Sequence, residues 1–255
     1  MKESIQKMAS EIASVLDGQL IGVWLYGSVV LDDFHLGWSD IDLIAYFDGD
    51  LTDGQADRLV NLRQTLSALY PENPYYACFE GAIVPFSGDP NVSAGRGVYW
   101  GTAGQRLIDR YEPDPFALYA LARFGQIVYG QGDRSLFSCP DRAKMAAAVR
   151  RHYETIRQYA VQTDGRLYSC GWLLDMARCM HTLRYGDVIS KTSAGEWALA
   201  AHVFPESEAL EKTLKIRRHP LELQADPAVR AWLRSLGPTV QRYADVLEKE
   251  LAQYS

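Results

Sequence analysis

Asp40 and Asp42 stand one residue apart in Ser39-Asp40-Ile41-Asp42-Leu43, at the head of an apolar run that continues to Phe47. Such a run reads as a strand. Side chains on a strand repeat every second residue, so both carboxylates point to one side, about 6.6 Å apart, while Ile41 and Leu43 face a core. Two unscreened carboxylates repel each other. The natural compensation is a divalent cation, and hard oxygen ligands at this spacing suit Mg²⁺ that is also held by substrate phosphates. Upstream, the apolar run Leu20 to Tyr26 ends at Gly27-Ser28. Glycine lets the backbone approach a ligand closely, and Ser28 offers a hydroxyl and, at an expected helix start, backbone N–H groups for phosphate oxygens. Glu80 sits in a third strand-like segment, Tyr75 to Pro85, which can lie beside the one bearing the aspartates.

The elements that must position these residues follow from periodicity. Ile5, Met8, Ile12, Val15 and Leu16 mark a helix over 3–17 that stops at Asp17-Gly18. A second helix is expected over 54–70. Residues 87–104, rich in Gly and Ser, read as a loop leading to a helix over about 114–129. Gly95-Arg96-Gly97 within it is no dinucleotide fingerprint, because the third glycine comes one position late. Strands interspersed with helices make the first half an α/β or α+β unit. From about residue 140 the strand signal disappears. Helices are expected over 141–162, 167–185, 192–202, 206–216 and 227–253, the last broken at Gly237-Pro238, so the second half is a helical bundle. The domains are placed at 1–138 and 139–255.

Of 255 residues, 26 are Lys or Arg and 32 are Asp or Glu, a formal charge of −6 that excludes a nucleic-acid binder held by bulk positive charge. The charge is uneven. Residues 1–110 carry 7 basic and 15 acidic side chains, whereas 111–255 carry 19 and 17. An acidic half suits a cation or a polycationic substrate, and basic groups in the other half suit phosphates. Cys78, Cys139, Cys170 and Cys179 form no C-x-x-C pair and read as reduced core residues. The five histidines show no metal spacing. The opening residues lack the apolar run of a signal peptide and no membrane-length segment follows, so a soluble cytoplasmic protein with no membrane partner is expected.

The Gly27-Ser28 step followed by Asp40-Ile41-Asp42 resembles the signature of the polymerase-β nucleotidyltransferase superfamily. In the second half, Tyr168-Ser169-Cys170-Gly171-Trp172-Leu173-Leu174-Asp175 and Ser190-Lys191-Thr192-Ser193-Ala194-Gly195-Glu196-Trp197-Ala198 resemble the helical domain of aminoglycoside adenylyltransferases of the streptomycin and spectinomycin type. The resemblance covers nearly the whole chain. It implies a nucleotidyltransferase domain with a mixed sheet, an α+β fold, followed by an all-α helical substrate-binding domain, the two closing on ATP, two Mg²⁺ ions and an antibiotic. Carried over by position, Asp40 and Asp42 bind Mg²⁺, Glu80 is either a second-metal ligand or the base, Ser28 and Ser39 contact the triphosphate, and Lys191 reaches it from the helical domain. A lysine at a helix start is poorly placed against the dipole, so an anion near Lys191 gives that position a reason. One departure from the family is Lys215-Ile216-Arg217-Arg218-His219, where members can place a tyrosine near the nucleotide.

Substrate ammonium groups need carboxylates, and sugar rings need flat aromatic surface. Tyr168, Trp172, Asp175 and Cys179 share one helix face, with Asp164 in the turn before them, although Asp175 can equally pair with Arg178 on its own helix. The expected activity is Mg²⁺-dependent transfer of AMP from ATP to a hydroxyl of an aminoglycoside or aminocyclitol, by a monomer without nucleic-acid partners. Two alternatives stand beside it: an adenylyltransferase acting on a protein or RNA, and a non-catalytic nucleotide sensor. The latter would be expected to lose a carboxylate, and Asp40, Asp42 and Glu80 are all present.

Overall fold

A computed structural model describes residues 1–102 and 104–254. The chain forms two compact units, one of residues 1–34 and 39–139, the other of residues 35–38 and 140–255. In the first, the apolar runs become strands β1 (Leu20–Tyr26) and β2 (Ile41–Phe47). Helix α1 (Lys2–Leu16) precedes them, and α2 (Asp53–Leu69) follows behind a capping box in which Thr52 and Gln55 each satisfy the other's backbone N–H. Strand β3 (Phe79–Pro85) is shorter than expected, because Pro74–Cys78 forms a 3₁₀ turn.

The Gly- and Ser-rich stretch is not a loop. It forms β4 (Ser93–Gly101), which pairs with β3 and with β5 (Gly104–Tyr111). Pairing on both edges overrides the weak strand propensity of its glycines. Downstream, α3 (Pro115–Phe124) starts at the Asp114 cap and Pro115 and ends at Gly125, so the rest of the expected helix is strand β6 (Gln126–Gly130) on β1.

The strand order is β5-β4-β3-β2-β1-β6, with β2 and β3 parallel and every other pair antiparallel. Only a parallel pair needs a crossover, and α2 supplies it. One face packs Ile41, Leu43, Ala45 and Phe47 against α1 and α2. The other packs Trp24, Ile44 and Tyr46 with Leu121 and Phe137, and Tyr26, Tyr99 and Tyr111 border it. The alternation of β2 thus sends Ile41 and Leu43 to one core and Asp42 to the opposite face.

The second unit is helical: α4 (Arg142–Tyr159), α5 (Tyr168–Tyr185), α6 (Lys191–Ala200), α7 (Ser207–Arg218), the short α8 (Pro220–Leu223), α9 (Pro227–Arg234) and α10 (Gly237–Leu251). Helix α5 is buried nearly all round and packs against α4, α6, α7, α9 and α10, as expected of the central helix of a bundle. Trp38, from the short segment 35–38, lies in this unit beside Gly171 of α5, and the buried Arg217 guanidinium sits 5.4 Å from its ring centre. All four cysteines are free. Cys170 and Cys179 are buried, and burial pushes both thiols up to about 12. Cys139 is exposed and Cys78 half-buried, so these two are not core residues. No described helix is long and apolar enough to cross a membrane.

Gly81 of β3 sits opposite Leu43 at a φ of 143°, and a Cβ there would overlap the Leu43 carbonyl oxygen. Gly81→Ala is therefore expected to cost about 3 kcal/mol from overpacking and backbone strain, a fall in Tm of roughly 6–12 °C. A thermal melt checks this, and an unchanged Tm would show that β2 and β3 are not held this closely.

Candidate active site

Antiparallel pairing of β1 with β2 sets Tyr26 opposite Asp42, and parallel pairing of β2 with β3 sets Asp42 opposite Glu80. The three side chains form a row across one face of the sheet, on neighbouring strands about 4.8 Å apart. Asp40 precedes β2, on the same side by alternation. Its carbonyl accepts a 3.1 Å hydrogen bond from the Ser28 hydroxyl, which ties the end of β1 to the start of β2. Gly27 has a φ of 68°, and a Cβ on it would overlap the Asp42 carboxylate, so the Gly-Ser backbone lies directly against that acid. No helix starts at Ser28. Successive turns follow instead, with the Leu31 N–H donating to the Gly27 carbonyl and that of Asp33 to the Ser28 carbonyl. Ser39 is buried at the entrance to β2.

Residues the sequence did not single out complete this site. Tyr99 donates a 3.1 Å hydrogen bond to Glu80 Oε1, and the Arg106 guanidinium lies 4.8 Å from the centre of the Tyr99 ring. Tyr99 escaped notice because it lies in the stretch expected to be a loop. Tyr26 and Tyr111 hydrogen-bond to each other. Burial, reinforced by nearby groups including Asp42, raises the Tyr26 phenol well above its ordinary value and pushes that of Tyr111 up to about 12. Burial and then Glu80 raise Tyr99 as well, so the phenols beside these acids are neutral donors at pH 7. From α2, Arg63 donates to the Phe79 and Gly101 carbonyls at 2.7 and 3.3 Å. Burial lowers its pKa against the opposing pull of Glu80 and Asp40, and the guanidinium remains charged.

Among the described residues no three His, Cys, Asp or Glu side chains gather as a ready metal cluster. Asp42 and Glu80 nonetheless present hard oxygen donors side by side. That pair fits Mg²⁺, an ion that takes one or two protein carboxylates and completes its shell with phosphate oxygens and water.

In the helical unit, Lys191 is the first residue of α6, behind the Ser190 cap. The anion it meets is Asp175, at 3.0 Å, and the same carboxylate pairs with Arg178 at 3.3 Å. Burial drives the Asp175 carboxyl upward, but Lys191 and then Arg178 outweigh it and hold the group below its ordinary value. Asp175 is thus neutralised within its own unit rather than open to a substrate cation. Asp164 accepts from the backbone N–H of Arg166 at 2.8 Å and from its Nε at 2.6 Å, at an exposed turn. Exposed Tyr168 meets buried Trp172 edge to face, with ring centres 4.8 Å apart.

Residues 7–77, which hold Gly27, Ser28, Asp40 and Asp42, match the nucleotidyltransferase domain, and residues 135–228 match the aminoglycoside adenylyltransferase C-terminal domain. This chain belongs to the aminoglycoside adenylyltransferase family. It is a nucleotidyltransferase enzyme, and the family's C-terminal domain spans Asp164, Tyr168, Trp172, Asp175 and Lys191. The fold is similar to that of spectinomycin adenyltransferase AAD(9) from Enterococcus, solved with ATP and spectinomycin, with a TM-score of 0.58 and 15% identity over 96% of this chain and 99% of that one. No curated protein matches the sequence.

A carboxylate whose pKa is lowered on folding contributes stability above its unfolded value, near 3.8, and loses it as the pH falls through the folded value. Asp175→Asn, which also leaves Lys191 and Arg178 unpaired, is expected to melt well below wild type at pH 7, and the gap should narrow below about pH 4. Thermal melts at pH 7 and pH 3 decide it. An equal gap at both would mean that charge is not what Asp175 contributes.

Proposed function

We propose that this enzyme transfers AMP from ATP to a hydroxyl of an aminoglycoside or aminocyclitol of the spectinomycin or streptomycin class, releasing pyrophosphate and blocking the drug's fit to its target. The observation that carries this reading is the register of Asp42 with Glu80 beside the Gly27-Ser28 turn. A triphosphate drawn to that turn would lie against a carboxylate, which is tolerable only with a cation between them. Asp40, Asp42 and Glu80 would hold Mg²⁺, and the ion when bound neutralises phosphate charge.

The chain's own residues supply the rest. Ser28 and Ser39 offer hydroxyls to the triphosphate, and Lys191 offers its ammonium, kept in place by Asp175. Tyr99 fixes Oε1 of Glu80, which leaves Oε2 to accept a proton from the drug hydroxyl. The deprotonated drug oxygen forms a bond to the α-phosphorus as the bond from the α-phosphorus to the bridging oxygen breaks, and pyrophosphate departs. Asp164, Tyr168 and Trp172, in the 139–255 part, offer a carboxylate and aromatic surface to the drug, while 1–138 handles the nucleotide.

Incubation with ATP, Mg²⁺ and a panel of aminoglycosides, read by mass, should show one added AMP on spectinomycin or streptomycin. No addition to any drug, with AMP appearing on a protein or RNA instead, would overturn the substrate class. Glu80→Gln should lower turnover by roughly 10²–10⁴-fold while ATP and drug still bind. Asp42→Asn and Asp40→Asn should abolish turnover because a neutral amide is a poor Mg²⁺ ligand. Activity within a few-fold of wild type in these variants would sink the site.

A further inference from the structure

Arg106 of β5 lies directly opposite Tyr99 of β4, and the Tyr99 hydroxyl is the one that holds Glu80. Cross-strand partners project to one side of a sheet, so this arginine shares the face that carries Glu80 and Asp42. Its guanidinium lies 4.8 Å from the centre of the Tyr99 ring. The ring is a platform for the planar cation, and stacking of this kind leaves the N–H donors at the edge of the plane unused.

Among the described residues those donors make no hydrogen bond and no ion pair, and the residue is exposed. Other groups nearby are already engaged. Glu80 accepts from Tyr99, and Arg110, four residues along the same strand, is spent on Glu112. A guanidinium steadied by a ring, beside acids but not paired with them, keeps its donors for an anion that arrives from outside. The ammonium groups of an aminoglycoside are excluded as partners by like charge.

Position along the sheet selects the anion. The strand order puts the Gly27-Ser28 turn at the β1 end of the acid row and Arg106 at the β5 end, with Glu80 on β3 between them. In the proposed transfer the triphosphate tail belongs with the turn, while the attacking hydroxyl gives its proton to Glu80. The atom it attacks is the α-phosphorus. The α-phosphate is therefore the group within reach of a side chain that rests on Glu80's own hydrogen-bond partner. We propose that Arg106 is a further catalytic residue, which binds an oxygen of the α-phosphate and meets the charge that builds there as the bond to the bridging oxygen breaks. This inference rests on the proposed AMP transfer.

Arg106→Gln removes the charge at an exposed position, so its Tm should stay within about 2 °C of wild type. Calorimetry with AMP and with adenosine, each in the presence of Mg²⁺, reads the contact without turnover. Wild type should bind AMP more tightly than adenosine. Arg106→Gln should lose at least about tenfold in AMP affinity, the worth of one charge-assisted hydrogen bond, and keep its adenosine affinity within about twofold. In AMP transfer to a drug, its kcat should fall by roughly 10²-fold or more. The proposal is overturned if wild type binds AMP no more tightly than adenosine, if the variant loses both affinities alike, or if its kcat stays within a few-fold of wild type. Should wild type transfer AMP to no drug, the proposed reaction fails on that result alone, and the AMP and adenosine titrations still decide whether Arg106 holds phosphate.

Discussion

The parallel register of β2 with β3 is the constraint on which the first unit turns. It brings two acids onto neighbouring strands at a distance where like charges oppose each other strongly unless something answers them. The surroundings answer in part. Tyr99 donates to one oxygen of Glu80, Arg63 approaches from α2, and neutral phenols stand where further charge would be intolerable. A six-stranded sheet with only one parallel pair is an economical way to achieve this. The crossover helix α2 both covers the opposite face and delivers Arg63.

The helical unit shows the complementary arrangement. A single half-buried acid, Asp175, is shared by two cations, so the local charge is positive even though each group has a partner. Burial costs are met because all three groups lie where α5 and α6 pack, and the acid gathers Lys191 and Arg178 into one place. A lone lysine at a helix N-terminus would point away into water. Held by Asp175, Lys191 remains available at a defined position.

Strands β1 and β2 were legible in the sequence because their signals are local. Period-two alternation in 41–47 and the Gly-Ser break after Tyr26 depend on a few adjacent residues, and both match β1 and β2. What escaped depends on contacts between distant segments. The glycines of 93–101 signal a loop when read singly, and only pairing with β3 and β5 makes them a strand. Tyr99 was hidden for that reason. Asp175 illustrates another limit, since helical periodicity places it on a face with Tyr168 and Trp172 but cannot tell that α6 brings a lysine against it. The turns after Ser28, where a helix start was expected, are closed by local bonds from Leu31 to Gly27 and from Asp33 to Ser28.

Residues 35–38 belong to the helical unit although they interrupt the first. The chain therefore passes from one unit to the other three times, and a cut near residue 139 would not separate them cleanly. A C-terminal fragment would lack Trp38, leaving the buried Arg217 without its aromatic neighbour and the Gly171 face of α5 without its cover. During synthesis this short segment emerges long before α5 and α7. The stretch linking the Gly27-Ser28 turn to the acidic strand therefore runs through four residues that pack in the other unit. Changes to α5 or α7 that loosen residues 35–38 would thereby be felt by the chain that joins Ser28 to Asp40.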